Sequence, residues 1–163
     1  MERSAVSQAP FASPIGRLWI AVSPRGLVSV TRGDDPDGGA DGWTLDAEAV
    51  ATAVAELQAY FARRLRTFTL PLDLRGAGAF DSAVWKAARQ IPYGETVSYG
   101  ELAGMAGFPR AARAAGGSMA RCPFFPVVPC HRVIHVDGSI GGWGADIWVK
   151  RWLLDLERGD STG

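Results

Sequence analysis

The stretch Pro129-Cys130-His131-Arg132-Val133 holds the side chains of this 163-residue chain best suited to covalent chemistry. A thiolate is the nucleophilic form of cysteine, and an adjacent imidazole and guanidinium favour it. The thiol follows the apolar run Phe124 to Val128, which predicts a position just past a buried extended segment. Neighbours on an extended chain point to opposite sides, so a Cys-His contact there needs a turn or a bridging water. A buried cysteine is as readily inert core packing, and the dipeptide alone does not choose between the two. Cys122 is the second of two cysteines, and His131 and His135 are the two histidines. That composition gives neither a disulfide framework nor a zinc ligand set, so no metal is expected. Few cysteines suit a reducing interior, and no run of about 18 apolar residues or secretory leader pattern is present. The expectation is a cytoplasmic protein that does not enter membranes.

Charge adds a second clue. Apolar residues make up 47% and charged residues 21%, a globular composition. The net charge of zero on its own argues against nucleic acid. Its distribution does not. Between Leu102 and Val136 there is no Asp or Glu, while Arg110, Arg113, Arg121 and Arg132 all lie there. Such a patch can serve a DNA backbone or remain an ordinary solvated surface.

The elements that must position these residues fall into two halves. In the first, Leu18, Ile20 and Val22 alternate along one side of a hairpin over residues 16–31, turning at Ser23-Pro24-Arg25-Gly26. Residues 33–42 read as an exposed Gly- and Asp-rich loop. Val50, Val54, Leu57 and Phe61 predict an amphipathic helix over 46–64, and 67–73 a short edge strand carrying Pro71. In the second half, 81–90 predicts a helix with Val84, Ala88 and Ile91 on one face, ended by Pro92-Tyr93-Gly94. Ser98 and Glu101 stand in capping-box relation and open another helix, with Tyr99, Leu102, Ala103 and Ala106 inward. Gly107-Phe108-Pro109 breaks it. A third helix over 110–120 is almost wholly Ala, Gly, Ser and Arg, and the pair matches a helix-turn-helix. On a regular helix Arg110, Arg113 and Arg121 fall within roughly 80° of one another. Gly116 and Gly117 each weaken that helix by about 1 kcal/mol, a cost that close approach to phosphate or to another helix would offset. A last helix over 147–158 turns Val149, Trp152, Leu153 and Leu156 inward. The expected fold is α/β, with a supporting lobe over 1–75 and a mostly helical lobe over 76–163.

From Ile91 to Glu157 the chain resembles the catalytic domain of O6-alkylguanine-DNA alkyltransferases. The resemblance rests on IPYGETVSYGELA (91–103), RAARAAGGSM (110–119), VPCHRVI (128–134) and KRWLLDLE (150–157), in the family's order and spacing. It implies a ribonuclease H-like first lobe, a helix-turn-helix lobe, and single-use transfer of an alkyl group from O6-alkylguanine, or O4-alkylthymine, in DNA. Under it Cys130 is the acceptor, His131 the base reaching it through water, and Glu157 the carboxylate orienting His131. Tyr99 protonates the departing purine. Arg113 fills the gap left by the flipped nucleotide, with Ala114 and Gly117 against the minor groove and Arg110 and Arg121 on the backbone. Val133, Ser139, Trp143 and Gly144 line the alkylated base. Flipping is needed because the O6 group cannot meet a buried thiol inside a stacked duplex. The implied partner is double-stranded DNA with little sequence preference, met by a monomer without a cofactor.

The chain also departs from the pattern. Cys122 stands where the family normally has an Asn tying turns together, and a thiol cannot replace an amide's donors and acceptors. Oxidation could join Cys122 to Cys130. Trp143 replaces a usual Tyr, and Asp146 a small residue or Trp. One rival reading is an alkyltransferase-like protein that flips the lesion and signals; such relatives usually lack the acceptor cysteine. A helix-turn-helix regulator is another, and would bind a defined sequence as a dimer. A cysteine hydrolase is the third.

Overall fold

The computed structural model describes residues 6–33, 40, 42–140 and 146–159. They divide into two compact units, Met1–Arg75 and Gly76–Gly163. None of the helices is long and apolar enough to cross a membrane among the described residues.

In the first unit, β1 (Ser7–Ser13), β2 (Gly16–Ser23), β3 (Gly26–Arg32) and β4 (Thr44–Leu45) form one sheet in the order β3-β2-β1-β4. The expected hairpin is β2–β3. It gains β1, which sequence pattern missed because Pro10 interrupts its alternation, and the short β4, parallel to β1. Leu18, Trp19, Ile20 and Ala21 are all buried, so the middle of β2 is covered on both faces. A register shift between Ala21 and Val22 ends the alternation, and Val22 is only half-buried. Most of the expected 33–42 loop lies outside the described residues.

The helix expected over 46–64 is shorter, α1 (Ala51–Phe61). Asp46 Oδ1 accepts from the amides of Glu48 and Ala49, holding the preceding residues in a side-chain-closed turn. The buried face is Val50, Ala53, Leu57 and Tyr60, with Val54 and Phe61 only partly covered. The expected strand 67–73 is reduced to a single parallel bridge, Leu27 to Leu72. Pro71 has no amide to extend a ladder; its carbonyl accepts from Leu27 N at 2.8 Å. That carbonyl crowds Gly26, where φ is +140° and a Cβ would stand 2.4 Å from Pro71 O. Gly26→Ala is therefore expected to destabilise the protein by at least about 1 kcal/mol, read as a lowered urea midpoint.

The second unit contains α2 (Ala79–Ala88), β5 (Val97–Ser98), α3 (Tyr99–Met105), α4 (Ala112–Arg121), β6 (Val133–Ile134) and α5 (Ile147–Glu157). Val84 and Ala88 of α2, together with Ile91 beyond it, are buried as expected, and Trp85 and Ala87 join them. The capping box is present: Ser98 Oγ accepts from Glu101 N at 3.0 Å and Glu101 Oε1 from Ser98 N at 2.8 Å. Leu102 and Ala103 are buried, whereas Tyr99 and Ala106 are half-buried. The connection from α3 to α4 spans residues 106–111, longer than the expected Gly-Phe-Pro break. Phe108 stacks edge-on against Phe80 at 5.0 Å, and Ala111 N closes a turn on Phe108 O. Arg110 thus precedes the helix, and its expected angular alignment with Arg113 and Arg121 does not hold.

In α5, Val149, Leu153 and Leu156 face inward as expected, and Trp152 is half-buried. Lys150, Leu154 and Glu157 are buried as well. Positions 150, 153, 154 and 157 make one helical stripe, so this face delivers two charged groups to the interior.

Candidate active site

Cys130 begins a single 3-10 turn, Cys130–Arg132, rather than following an extended segment. The run before it is a string of turns with a cis Phe125–Pro126 bond, closed by Val128 N on Phe124 O. The apolar side chains there are core, with Phe124, Val127 and Val128 buried. Edge-on packing of Phe124 on Trp85 at 5.6 Å anchors the segment, and Trp85 Nε1 reaches the Ser118 carbonyl of α4. Cys130 is only 5% exposed. Its thiol contacts that of Cys122, just beyond α4. That contact, then burial, push the Cys130 thiol well above the ordinary thiol range, while Lys150 works in the opposite direction.

The two residues that follow are tied to α5. His131, fully buried, places Nε2 2.6 Å from Glu157 Oε2. A carboxylate accepts, so the neutral ring carries its proton on Nε2 and presents Nδ1 as the basic nitrogen. Burial lowers the His131 pKa, partly opposed by Glu157. Arg132 donates Nε to Glu157 Oε1 and Nη2 to Oε2, both at 2.8 Å, and Nη1 to the Ile91 carbonyl at 2.7 Å. Gly94 N adds a fourth donor to Glu157 at 3.2 Å. Burial raises the Glu157 pKa, but the His131 and Arg132 hydrogen bonds outweigh it and hold the carboxyl well below its usual range. The sequence suggested that Arg132 would favour the thiolate. Its guanidinium instead matches the charge of Glu157.

Tyr99 opens α3 directly after the capping serine. Its ring lies against Gly116 of α4, 3.8 Å from where a Cβ would stand, and 5.4 Å from the His135 ring. Burial, then the Cys130 charge, raise the Tyr99 pKa, so the phenol keeps its proton and remains a donor. Val133 is buried and pairs with Val97 across the parallel β5–β6 ladder. Ser139 is exposed; its amide donates to Asp137 Oδ1 and its carbonyl accepts from His135 N. Trp143 and Gly144 lie outside the described residues.

A sequence pattern for the 6-O-methylguanine DNA methyltransferase DNA-binding domain matches residues 79–159, and one for that enzyme's ribonuclease-like domain matches 8–74. The chain is 46% identical over 147 residues to a methylated-DNA–protein-cysteine methyltransferase of Mycolicibacterium paratuberculosis, covering 90% of this chain and 88% of the relative. The chain belongs to the 6-O-methylguanine DNA methyltransferase family. A crystal structure of Mycobacterium tuberculosis OGT in complex with DNA superposes with a TM-score of 0.84 at 43% identity, covering 94% of both chains. A DNA base-flipping protein of Thermus thermophilus is 41% identical over 152 residues, covering 89% of this chain and 95% of its own.

Within this methyltransferase-family unit, Arg113 and Ala114 are exposed together near the start of α4. Gly117 is half-buried, with Arg121 Nη1 3.3 Å from where its Cβ would stand. Arg121, at the far end of α4, pairs with Asp81 at 2.8 Å. Arg110 is exposed in the turn before the helix. The two glycines have different surroundings: at Gly116 a Cβ would make ordinary van der Waals contact with Tyr99, and Gly117 sits beside the Arg121 guanidinium. Asp146 is exposed immediately before α5. Sequence reasoning missed Lys150, Ile91, Gly94 and the anchoring of Arg132. Only Lys150 left a signal, a lysine seven residues before Glu157 on the inward stripe.

Proposed function

We propose that this protein repairs DNA by taking the alkyl group of O6-alkylguanine onto Cys130, once per molecule. The observation that carries this reading is the buried His131, neutral and fixed by Glu157 beside the one thiol at the head of the 3-10 turn. In the step, the Cys130 thiol gives its proton to His131 Nδ1 through a water. The thiolate sulfur attacks the alkyl carbon, a new C–S bond forms and the C–O6 bond breaks. The electron pair leaves with the purine, which Tyr99 protonates, and that phenol regains a proton from the imidazolium side by way of solvent. Nothing in this chemistry cleaves the resulting thioether, so turnover ends with one transfer.

In this reading residues 76–163 do the chemistry and bind duplex DNA from the minor groove, with little sequence preference and as a monomer in the cytoplasm. Residues 1–75 support that unit. Arg113, exposed on α4 with Ala114, takes the place of the flipped nucleotide, and Gly117 permits close approach. Arg110 contacts the backbone, and Arg121 joins it by leaving Asp81. Val133 and Ser139 contribute to the base pocket. Arg113→Ala is expected to slow transfer from duplex at least tenfold, about the cost of a lost stacking plug. The deficit should shrink on single-stranded substrate, where no pair is opened; an equal deficit on both would remove Arg113 from flipping.

The decisive experiment is intact mass after incubation with duplex carrying O6-methylguanine. Gain of one methyl, mapped to Cys130 and saturating at one per molecule, is the expected result. Tight lesion-selective binding without mass gain would instead favour a base-flipping role, as the name of the Thermus thermophilus relative states for that protein.

A further inference from the structure

The inference concerns the second histidine, and it rests on the reading of Tyr99 as the proton donor to the departing purine. The parallel β5–β6 ladder pairs Val97 with Val133 and Ser98 with Ile134. The next residues in register are Tyr99 and His135. Their rings meet, with centroids 5.4 Å apart and planes tilted by 50°. Both ends of the contact are held. Tyr99 follows the capping box that opens α3. His135 begins a closed turn: its amide donates to the Ser139 carbonyl and its own carbonyl accepts from Gly138 N, both at 2.9 Å. Ser139 N donates to Asp137 Oδ1, also at 2.9 Å, inside the same turn.

His135 is exposed and Tyr99 half-buried. Imidazole is the side chain whose charge changes between about pH 5 and 8. A cation within about 6 Å of an aromatic centroid is attracted to the ring. That attraction grows as the phenol gives up its proton, because the ring then takes on negative charge. Other ionisable groups also face the pair among the described residues. Asp137 is held below the usual carboxylate range, first by the Ser139 amide, with the His135 charge contributing. Lys150 of α5 places Nζ 5.9 Å from the Tyr99 centroid. The Cys130 charge acts on the phenol from the 3-10 turn. At its contact with the ring, α4 presents Gly116, which brings no charge.

We propose that His135 is a positioning residue of the transfer: its imidazolium lies against the Tyr99 ring and stabilises the negative charge that develops there as the phenol protonates the purine. The proton balance is unchanged. Tyr99 gives up and regains one proton, and His135 keeps its own. The contribution is present in acid and fades as pH rises and the imidazole loses its charge.

The test compares wild type with His135→Phe, which keeps a ring against Tyr99, and His135→Lys, which keeps a charge. Methyl transfer is followed in a single turnover at saturating O6-methylguanine duplex, so that DNA affinity does not enter. Loss of thiolate in acid is common to the three proteins and cancels in the ratio of their rates. Wild type should exceed His135→Phe about threefold near pH 5.5 and match it near pH 8. His135→Lys should keep the advantage at both. A second readout omits DNA. With 13C-labelled tyrosine, the Tyr99 resonance, assigned by its loss in Tyr99→Phe, should shift with the same midpoint as the His135 ring protons. His135→Phe should lose that step. A rate ratio flat with pH, or a Tyr99 resonance blind to His135, would overturn the proposal. Undiminished transfer by Tyr99→Phe would remove the donor on which it rests, whereas a slowed Tyr99→Phe with a flat ratio would fault His135 alone.

Discussion

Cys130→Ala is expected to abolish methyl transfer completely while lesion-bearing duplex is still bound within about twofold of wild type. The sulfur is the only protein atom in the proposed step that bonds to the alkyl carbon, so no partial activity should survive. Cys122 does not replace it: its thiol touches that of Cys130, but it leaves α4 on a separate segment, away from the 3-10 turn that sets Cys130 beside His131. Truncation removes one buried sulfur and should cost on the order of 1 kcal/mol, too little to unfold the site. Intact mass and a binding titration on the same sample check both halves. Methyl gain by the variant, wherever it maps, would overturn the assignment of Cys130 as sole acceptor.

Glu157→Gln should be the most damaging substitution for stability. The carboxylate answers His131, two nitrogens of Arg132 and the Gly94 amide. An amide offers one accepting oxygen and turns two donors towards groups that already donate. It also leaves the Arg132 charge, 6% exposed, without its counterion. Removing one member of such a pair costs about 3–5 kcal/mol. Transfer should fall by 100-fold or more, of the order that a positioned base contributes. Acid adds a second signature. Glu157, held low in the fold, contributes stability that is complete above its unfolded value of about 4.3 and is lost as pH falls towards the folded one. His131, pushed down by burial, acts in the same sense. Below about pH 6.5 the unfolded chain takes up a proton that the native ring resists, so stability declines on acidification. Urea unfolding of wild type should therefore weaken in two stages below about pH 6.5, and Glu157→Gln should shrink the lower one, to which Asp73, held low by Arg75, also contributes. A variant whose lower stage is as large as that of wild type would show that Glu157 does not contribute to it.

The sequence disclosed most of what is local. Ser98 and Glu101 specify a capping box by type and spacing alone, and the structure contains it. The inward stripe of α5 was legible in Val149, Leu153 and Leu156, because an amphipathic helix repeats its pattern. What escaped depends on contacts distant in sequence. Arg132 reads as a neighbour of Cys130, yet its guanidinium is directed by Glu157, 25 residues on, and by the carbonyl of Ile91, 41 residues back. Backbone partners such as Ile91 and Gly94 leave no trace in residue type. Phe124 to Val128 reads as a strand from its apolar run, while prolines at 123, 126 and 129 favour the turns observed. Strand β1 went unseen for the opposite reason, because a partner strand overrides the weak pattern around Pro10.

The network around Glu157 also bears on when the protein becomes reactive. Glu157 follows His131 by 26 residues, and the carbonyl that holds Arg132 lies far upstream at Ile91. As the chain is synthesised, the thiol emerges well before the helix that fixes its base. Until α5 docks, His131 is an unrestrained imidazole and Cys130 an ordinary thiol. Closing that loop entropically costs only slowly more with its length, so assembly waits on translation of α5 rather than on a distant search. The positioned base of the proposed transfer is thus acquired in one event, at the docking of α5, and a chain that has not yet made that helix lacks it.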